Sequence, residues 1–160
     1  MGLSSLDANI GKLIVRLSVG CMMLFHGVAK IMHPASMDFI SGMLASNNLP
    51  GMLAYGVYIG EIIAPLMVIV GYQARIGGLL MAINMVFAIF LAHSGEIFST
   101  TQHGGWASEL QMFYLMSSLA VVFLGSGRLA FARIASAGPP RPLILPDELS
   151  NSMNVGELFQ

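Results

Sequence analysis

Four long apolar runs separated by short polar stretches organise this chain, covering roughly residues 10–32, 53–71, 76–94 and 107–125. Each is about 19–23 residues long, close to the ~20 that a helix needs to cross the hydrocarbon core of a bilayer. None alternates residue by residue as a membrane barrel strand would, and a helix satisfies its own backbone groups inside lipid. The pattern predicts an all-α integral membrane four-helix bundle. Within the first run, Lys12, Arg16, Val19, Gly20, Met23, His26, Gly27 and Lys30 fall within about a third of the helix circumference at ~100° per residue. Ionisable groups are costly at membrane depth and turn towards protein or a wet cavity, while small residues let helices approach closely. The stripe is therefore expected to face the other three helices.

The second run supplies a counter-charge. In "YGVYIGEIIAP", Glu61 lies near the membrane middle, beside the close-approach pair Gly56-x-x-x-Gly60. Pro65 follows four residues later and has no N–H, so the Glu61 carbonyl loses its intrahelical donor and a kink is expected. An ion pair of Glu61 with His26, Lys30 or Arg16 is one expectation. A ligand site built on the same acceptor groups is the other, and the two are compatible. In the third run, Asn84 lies roughly opposite His93 on the helical wheel, so it is expected to make an interhelical hydrogen bond rather than share a face with His93. Glu109 opens the fourth run, where it also complements the helix dipole. His26, Lys30, Glu61, His93, Glu96, His103 and Glu109 thus gather in one half of the bundle, forming a polar pocket expected to open outward. Its ligand-binding candidates are His26, Lys30, Glu61, His93 and Glu109. Arg16, Asn84, Pro65 and Arg75 are expected as structural, buried elements.

Composition sharpens this picture. Of 160 residues, 56 % are hydrophobic and 9 % charged, where a soluble domain carries about 25 % charged residues; mean hydropathy is +0.76. Lys12, Arg16, Arg75, Arg128, Arg133 and Arg141 fall on one side of the spans and only Lys30 on the other, which predicts cytoplasmic N and C termini. Trp106, Tyr55 and Tyr58 fit an aromatic belt at the outer interface. The first run overshoots a signal-peptide core and is expected to remain in the mature protein. Cys21 stands alone, so no disulfide framework or C-x-x-C redox pair exists; it is expected to be inert packing. No metal site is expected. The thirteen methionines are gap fillers rather than a copper signal, and a haem between His26 and His93 has no C-x-x-C-H to support it.

Between the first two spans, "HPASMDFISGMLASNNLPG" repeats Met37, Ile40, Met43 and Leu44 at helical spacing, bracketed by Pro34 and Pro50. A short interfacial helix covering the pocket fits this pattern, beside the simpler role of a connection. The bundle is assigned to residues 1–132 and a mobile cytoplasmic tail to 133–160.

Arg16, "LFHGVAKIMHP", "GEIIAPLMVIVGYQARIGG" and "GSGRLAF" together resemble the DoxX family of small four-helix bacterial inner-membrane proteins, over about residues 10–132. The family pattern maps onto Arg16, Gly27 with Lys30, Glu61, and Gly71 with Arg75. The chain departs from it after Gly127, where Arg128-Leu129-Ala130 stands in place of Ser-hydrophobic-Asp. The resemblance implies a place in the inner membrane and an association with quinone-linked oxidoreductases or with oxidative and electrophilic stress defence. It carries no catalytic residue set. No tightly bound cofactor is expected, with quinone the candidate ligand. The partners expected are the lipid bilayer, a second copy of the chain, or a redox or detoxifying enzyme; nucleic acid is not one. The principal expectation is a subunit supporting quinone-linked redox chemistry. The alternatives are a non-catalytic anchor or assembly subunit, and an oligomeric carrier of small anions or protons.

Overall fold

The structure, a computed structural model, describes residues 3–131. The tail assigned to 133–160, with Arg133 and Arg141, lies outside the described residues, as does the side chain of Glu96. The described chain is helical: α1 (Leu3–Met32), α2 (Ala35–Ser46), α3 (Gly51–Val70), α4 (Ala74–Ala92) and α5 (Glu109–Leu124). One isolated bridge, between Thr100 and Trp106, ties off the loop before α5. Helices α1, α3 and α4 are long and apolar enough to cross a membrane. Helix α5 has 16 residues, about 24 Å at 1.5 Å per residue. It is therefore shorter than the span its apolar run predicts, because residues 107 and 108 belong to the loop that feeds it.

The other boundaries shift for simple reasons. Helix α1 begins before its apolar run, since "LSSLDAN" is helix-compatible and this turn is not required to be apolar. Helix α2 forms where the apolar spacing placed it, between Pro34 at its N-cap and Pro50 beyond its end. Helix α3 has an irregular interior. It opens with a 3-10 turn at Gly51–Tyr55 and widens to a π turn at Ile59–Ile63, where the Ala64 N–H reaches back to Ile59 O. The widening sits directly before Pro65, whose ring and missing N–H forbid the ordinary α-helical bond there.

The four long helices close a ring. Helix α1 packs on α3 and α5, and α4 packs on the same two from the other side. Val19, Met23, Val68, Met81, Met85, Tyr114 and Val121 fill the centre. Phe25, Phe113 and Phe123 point outward at 76 %, 66 % and 78 % exposure, an exterior that suits lipid. Cys21 is likewise exposed rather than packed. Lipid tails are as apolar as the core, so burial alone does not hold such helices together. Close packing and interhelical hydrogen bonds do.

Arg16 is the strongest of these ties. It is 1 % exposed. Its Nε donates to Val68 O at 2.8 Å and its Nη2 to Ile69 O at 2.9 Å, while Nη1 donates to Ser126 O. The first two acceptors are carbonyls at the C-terminal end of α3, where four C=O groups lack intrahelical donors. One guanidinium thus fastens α1 to the end of α3 and to the segment after α5. Gly71 ends α3 at φ +80°, and a Cβ there would come within 2.7 Å of Arg16 Nη2, so that turn requires glycine twice over. At the same end, Asn9 Oδ1 accepts from the Arg128 N–H at 2.9 Å. Arg75, expected among the buried groups, is exposed, because it sits in the first turn of α4 at the margin of the bundle.

Arg16→Met removes three donors and leaves three carbonyls in competition for none. We expect a loss of roughly 3 kcal/mol or more, read as a lowered unfolding midpoint in mild detergent. Arg16→Lys should recover only part of it, since an ammonium cannot reproduce the planar fork. A midpoint unchanged in Arg16→Met would refute the tie.

Candidate functional site

The site lies at the opposite end of the bundle from Arg16 and begins with Glu61, midway along α3. Glu61 is 4 % exposed. Lys30, in the last turn of α1, turns inward and its Nζ meets Glu61 Oε2 at 2.5 Å. Asn84 of α4 donates from Nδ2 to Glu61 Oε1 at 3.3 Å. Both carboxylate oxygens are therefore engaged, and three helices are joined through one side chain. Of the three basic partners weighed for Glu61, the geometry selects Lys30. The lysine does not extend to the surface, and Arg16 is committed elsewhere.

Two glycines allow this junction. A Cβ at Gly27 would meet Ile62 Cγ1 at 2.6 Å and collide with the Glu61 carbonyl. This is the carbonyl that Pro65 deprives of its donor, so α1 lies directly against the irregular part of α3. A Cβ at Gly60 would approach Asn84 Oδ1 to 2.9 Å; the absence of a side chain there brings Asn84 level with the carboxylate. Gly56, its expected companion, has open space around it and takes no part in close approach.

Two chambers meet at the ion pair. The larger, about 590 Å³, is walled by Phe39, Ile40 and Met43 of α2 and by Val57, Phe87 and Leu91. Lys30, Glu61, Asn84 and His93 supply its polar surface. The smaller, about 190 Å³, is lined by Met23, His26, Met85, Gln111 and Tyr114. Lys30, Glu61, Ala88 and His93 border both. The larger chamber, with apolar walls and a few convergent polar groups, has a volume typical of small-molecule sites. Helix α2 covers the larger chamber, so the covering role weighed for this segment is the one its position allows.

Asn84 makes the interhelical bond anticipated for it, yet it shares the larger chamber with His93. The wheel argument against this fails because His93 is past the regular helix, at φ −123° in the C-cap position of α4, so its direction no longer follows the 100° step. His93 Nε2 lies 2.9 Å from Gln111 Nε2. His26 is solvent-accessible yet borders the smaller chamber, edge-on to Tyr114 with ring centroids 5.5 Å apart. Glu109 lines neither chamber. It is exposed in the first turn of α5, where the dipole reading accounts for it. His103 is exposed in the loop before α5. Among the described residues no group of three metal-ligating side chains comes together.

Sequence reasoning missed Gln111 and Tyr114. Their spacing of three in an otherwise apolar helix puts both on one face, a signal available in "ELQMFY". Gln111 Oε1 is buried with no partner among the described residues, which leaves an acceptor inside the smaller chamber.

Lys30, Glu61 and Asn84 all fall within a stretch that matches a known family. The DoxX family pattern matches residues 11–94. The chain belongs to the DoxX family. A curated relative from Bacillus subtilis (strain 168), named "Putative oxidoreductase CatD", is 27 % identical over 122 residues, covering 76 % of this chain and 84 % of that protein. No solved structure matches the chain. As a DoxX protein, the chain places Gly27, Lys30, Glu61 and Pro65 inside the matched region, while Gln111 and Tyr114 fall beyond it.

Removing one partner of the ion pair should cost more than removing both. Lys30→Met leaves a buried carboxylate with only Asn84, and Glu61→Gln leaves an ammonium facing an amide. In a double-mutant cycle read by unfolding in detergent, we expect a coupling of about 1–3 kcal/mol between positions 30 and 61. Strict additivity would show that the pair is a contact without energetic consequence.

Proposed function

We propose that this DoxX protein binds a quinone, or a planar redox compound of similar polarity, in the larger chamber and supports its reduction or oxidation within an inner-membrane redox system. The observation that carries this reading is the composition of that chamber: aromatic and aliphatic walls lead to one cluster of Lys30, Asn84, His93 and Glu61. A quinone has the matching polarity, with carbonyl oxygens at the head and an apolar body. Lys30 and Asn84 provide N–H donors suited to a carbonyl oxygen that gains negative charge on reduction. Glu61, bordering both chambers, is placed to pass a proton between the head and the His26 side. The name of the Bacillus relative agrees with redox chemistry in general and identifies no substrate. The chain would work with a separate redox or detoxifying enzyme supplying the electrons, since the sequence has no C-x-x-C pair.

A second reading has its own support. Glu61, Lys30 and Asn84 join three helices, which is what an anchoring subunit needs to hold a rigid shape. One titration separates the two. Short-chain ubiquinone added to protein in mild detergent should bind the native chain, bind roughly tenfold or more weakly to Lys30→Met and Glu61→Gln, and bind equally well to Cys21→Ser. Equal binding by all four would remove the ligand site and leave the anchor.

The same reading puts the chamber mouth on the outer face of the membrane, with both ends of the chain inside. In a Cys21→Ser background, a cysteine introduced as His103→Cys should react with an impermeant maleimide on spheroplasts, and one introduced as Gln73→Cys should react only after lysis. The reverse pattern would invert the topology.

A further inference from the structure

The end of the bundle held by Arg16 carries a second cleft, far from the ion pair. It measures about 500 Å³ and is lined by α1 (Asn9, Lys12), the first turn of α4 (Arg75) and the segment from Leu124 to Arg128. Three cations border it and no carboxylate does. Lys12 and Arg75 have no ion-pair partner among the described residues. Lys12 and Arg75 come from different segments, and no acidic side chain in the cleft's lining offsets their charge.

Its floor is fixed rather than loose. Gly125 and Gly127 have φ of +69° and +68°. A Cβ at Gly125 would come within 3.1 Å of Arg75 Nε, and one at Gly127 within 3.3 Å of Lys12 Cδ. The Gly-Ser-Gly turn thus has the Arg75 guanidinium against one glycine and the aliphatic stem of Lys12 against the other. Arg16 holds Ser126 O from below, and Asn9 holds the Arg128 N–H from the side. The turn therefore fixes where the Arg75 head and the Lys12 stem enter the cleft.

We propose that this cleft binds a phosphate group, either the headgroup of an anionic phospholipid or a soluble phosphate compound. Lys12 and Arg75 would contact its oxygens from either side of the turn, with Arg128 at the rim. Arg pairs its planar fork with phosphate oxygens and Lys acts as a point charge. The position suits a headgroup, because Arg75 stands at the end of a spanning helix where phosphates of the bilayer lie.

Native mass spectrometry of the full chain in mild detergent tests this with phosphatidylglycerol and phosphatidylcholine as probes. The native chain should retain phosphatidylglycerol preferentially. Neutralising both cations (Lys12→Gln with Arg75→Gln) should weaken that retention roughly tenfold or more, at about 1 kcal/mol per basic residue near the surface. The charge-preserving pair Lys12→Arg with Arg75→Lys should keep it, and Arg75→Gln alone should weaken it if the doubly neutralised chain does not fold. Displacement of the lipid by inorganic phosphate would assign the site to soluble anions; persistence of the lipid would assign it to the headgroup. Equal retention of the two lipids, or undiminished preference in folded neutralised chains, would overturn the proposal.

Discussion

A carboxylate halfway along a membrane helix is the constraint around which this bundle is arranged. Glu61 cannot be solvated by lipid, and an ionised group left without partners there is costly. The chain satisfies both of its oxygens from other helices, Lys30 from α1 and Asn84 from α4. That solution dictates the packing nearby. Helix α1 has to come close enough for a lysine to reach inward, which Gly27 permits, and α4 has to present an amide at the same height, which Gly60 permits. Pro65 adds a second acceptor by freeing the Glu61 carbonyl. The junction is a polar network enclosed by apolar helices, and it holds because both carboxylate oxygens have donors.

The two ends of the bundle use charge differently. At one end Arg16 donates only to backbone carbonyls and closes off the C-terminus of α3, a purely structural use of a cation. At the other, Lys30 and Glu61 form a pair that borders open space on two sides. A pair of that kind can exchange partners with an incoming polar group at modest cost, since each charge keeps a counterpart throughout. Three carbonyls held by one guanidinium have no such freedom. The difference is why we propose the ligand site beside the ion pair, although Arg16 is the more deeply buried residue.

Much of this was legible in the sequence. The apolar runs located the spans, and the stripe from Lys12 to Lys30 located the inward face of α1. Pro65 placed the irregularity of α3 to within one turn. What escaped has a common cause: helical-wheel reasoning assumes an unbroken 100° step. His93 stands beyond the last regular turn of α4 and so joins Asn84, from which a wheel separates it. Gly56 and Gly60 are a matched pair on paper, but Gly56 lies before the π turn and Gly60 within it, and only Gly60 meets a neighbour. The choice of Lys30 over Arg16 as the partner of Glu61 depended on which carbonyls lacked donors, a tertiary fact that no residue spacing encodes. The position of α2 over the chamber was likewise undetermined, because its periodicity predicts a helix but not what it leans on.

The π turn also means that α3 contains one residue more than an α-helix of the same path would hold. Deleting a single position between Ile59 and Ile63 would let the helix relax to ordinary geometry with its two flanks still on their present faces. Val57 would keep its place on the chamber wall, and only the stretch around Glu61 would be redrawn. This one turn is therefore a place where descendants of the fold can change the length of α3, and the setting of its carboxylate, without turning the rest of the cavity lining away.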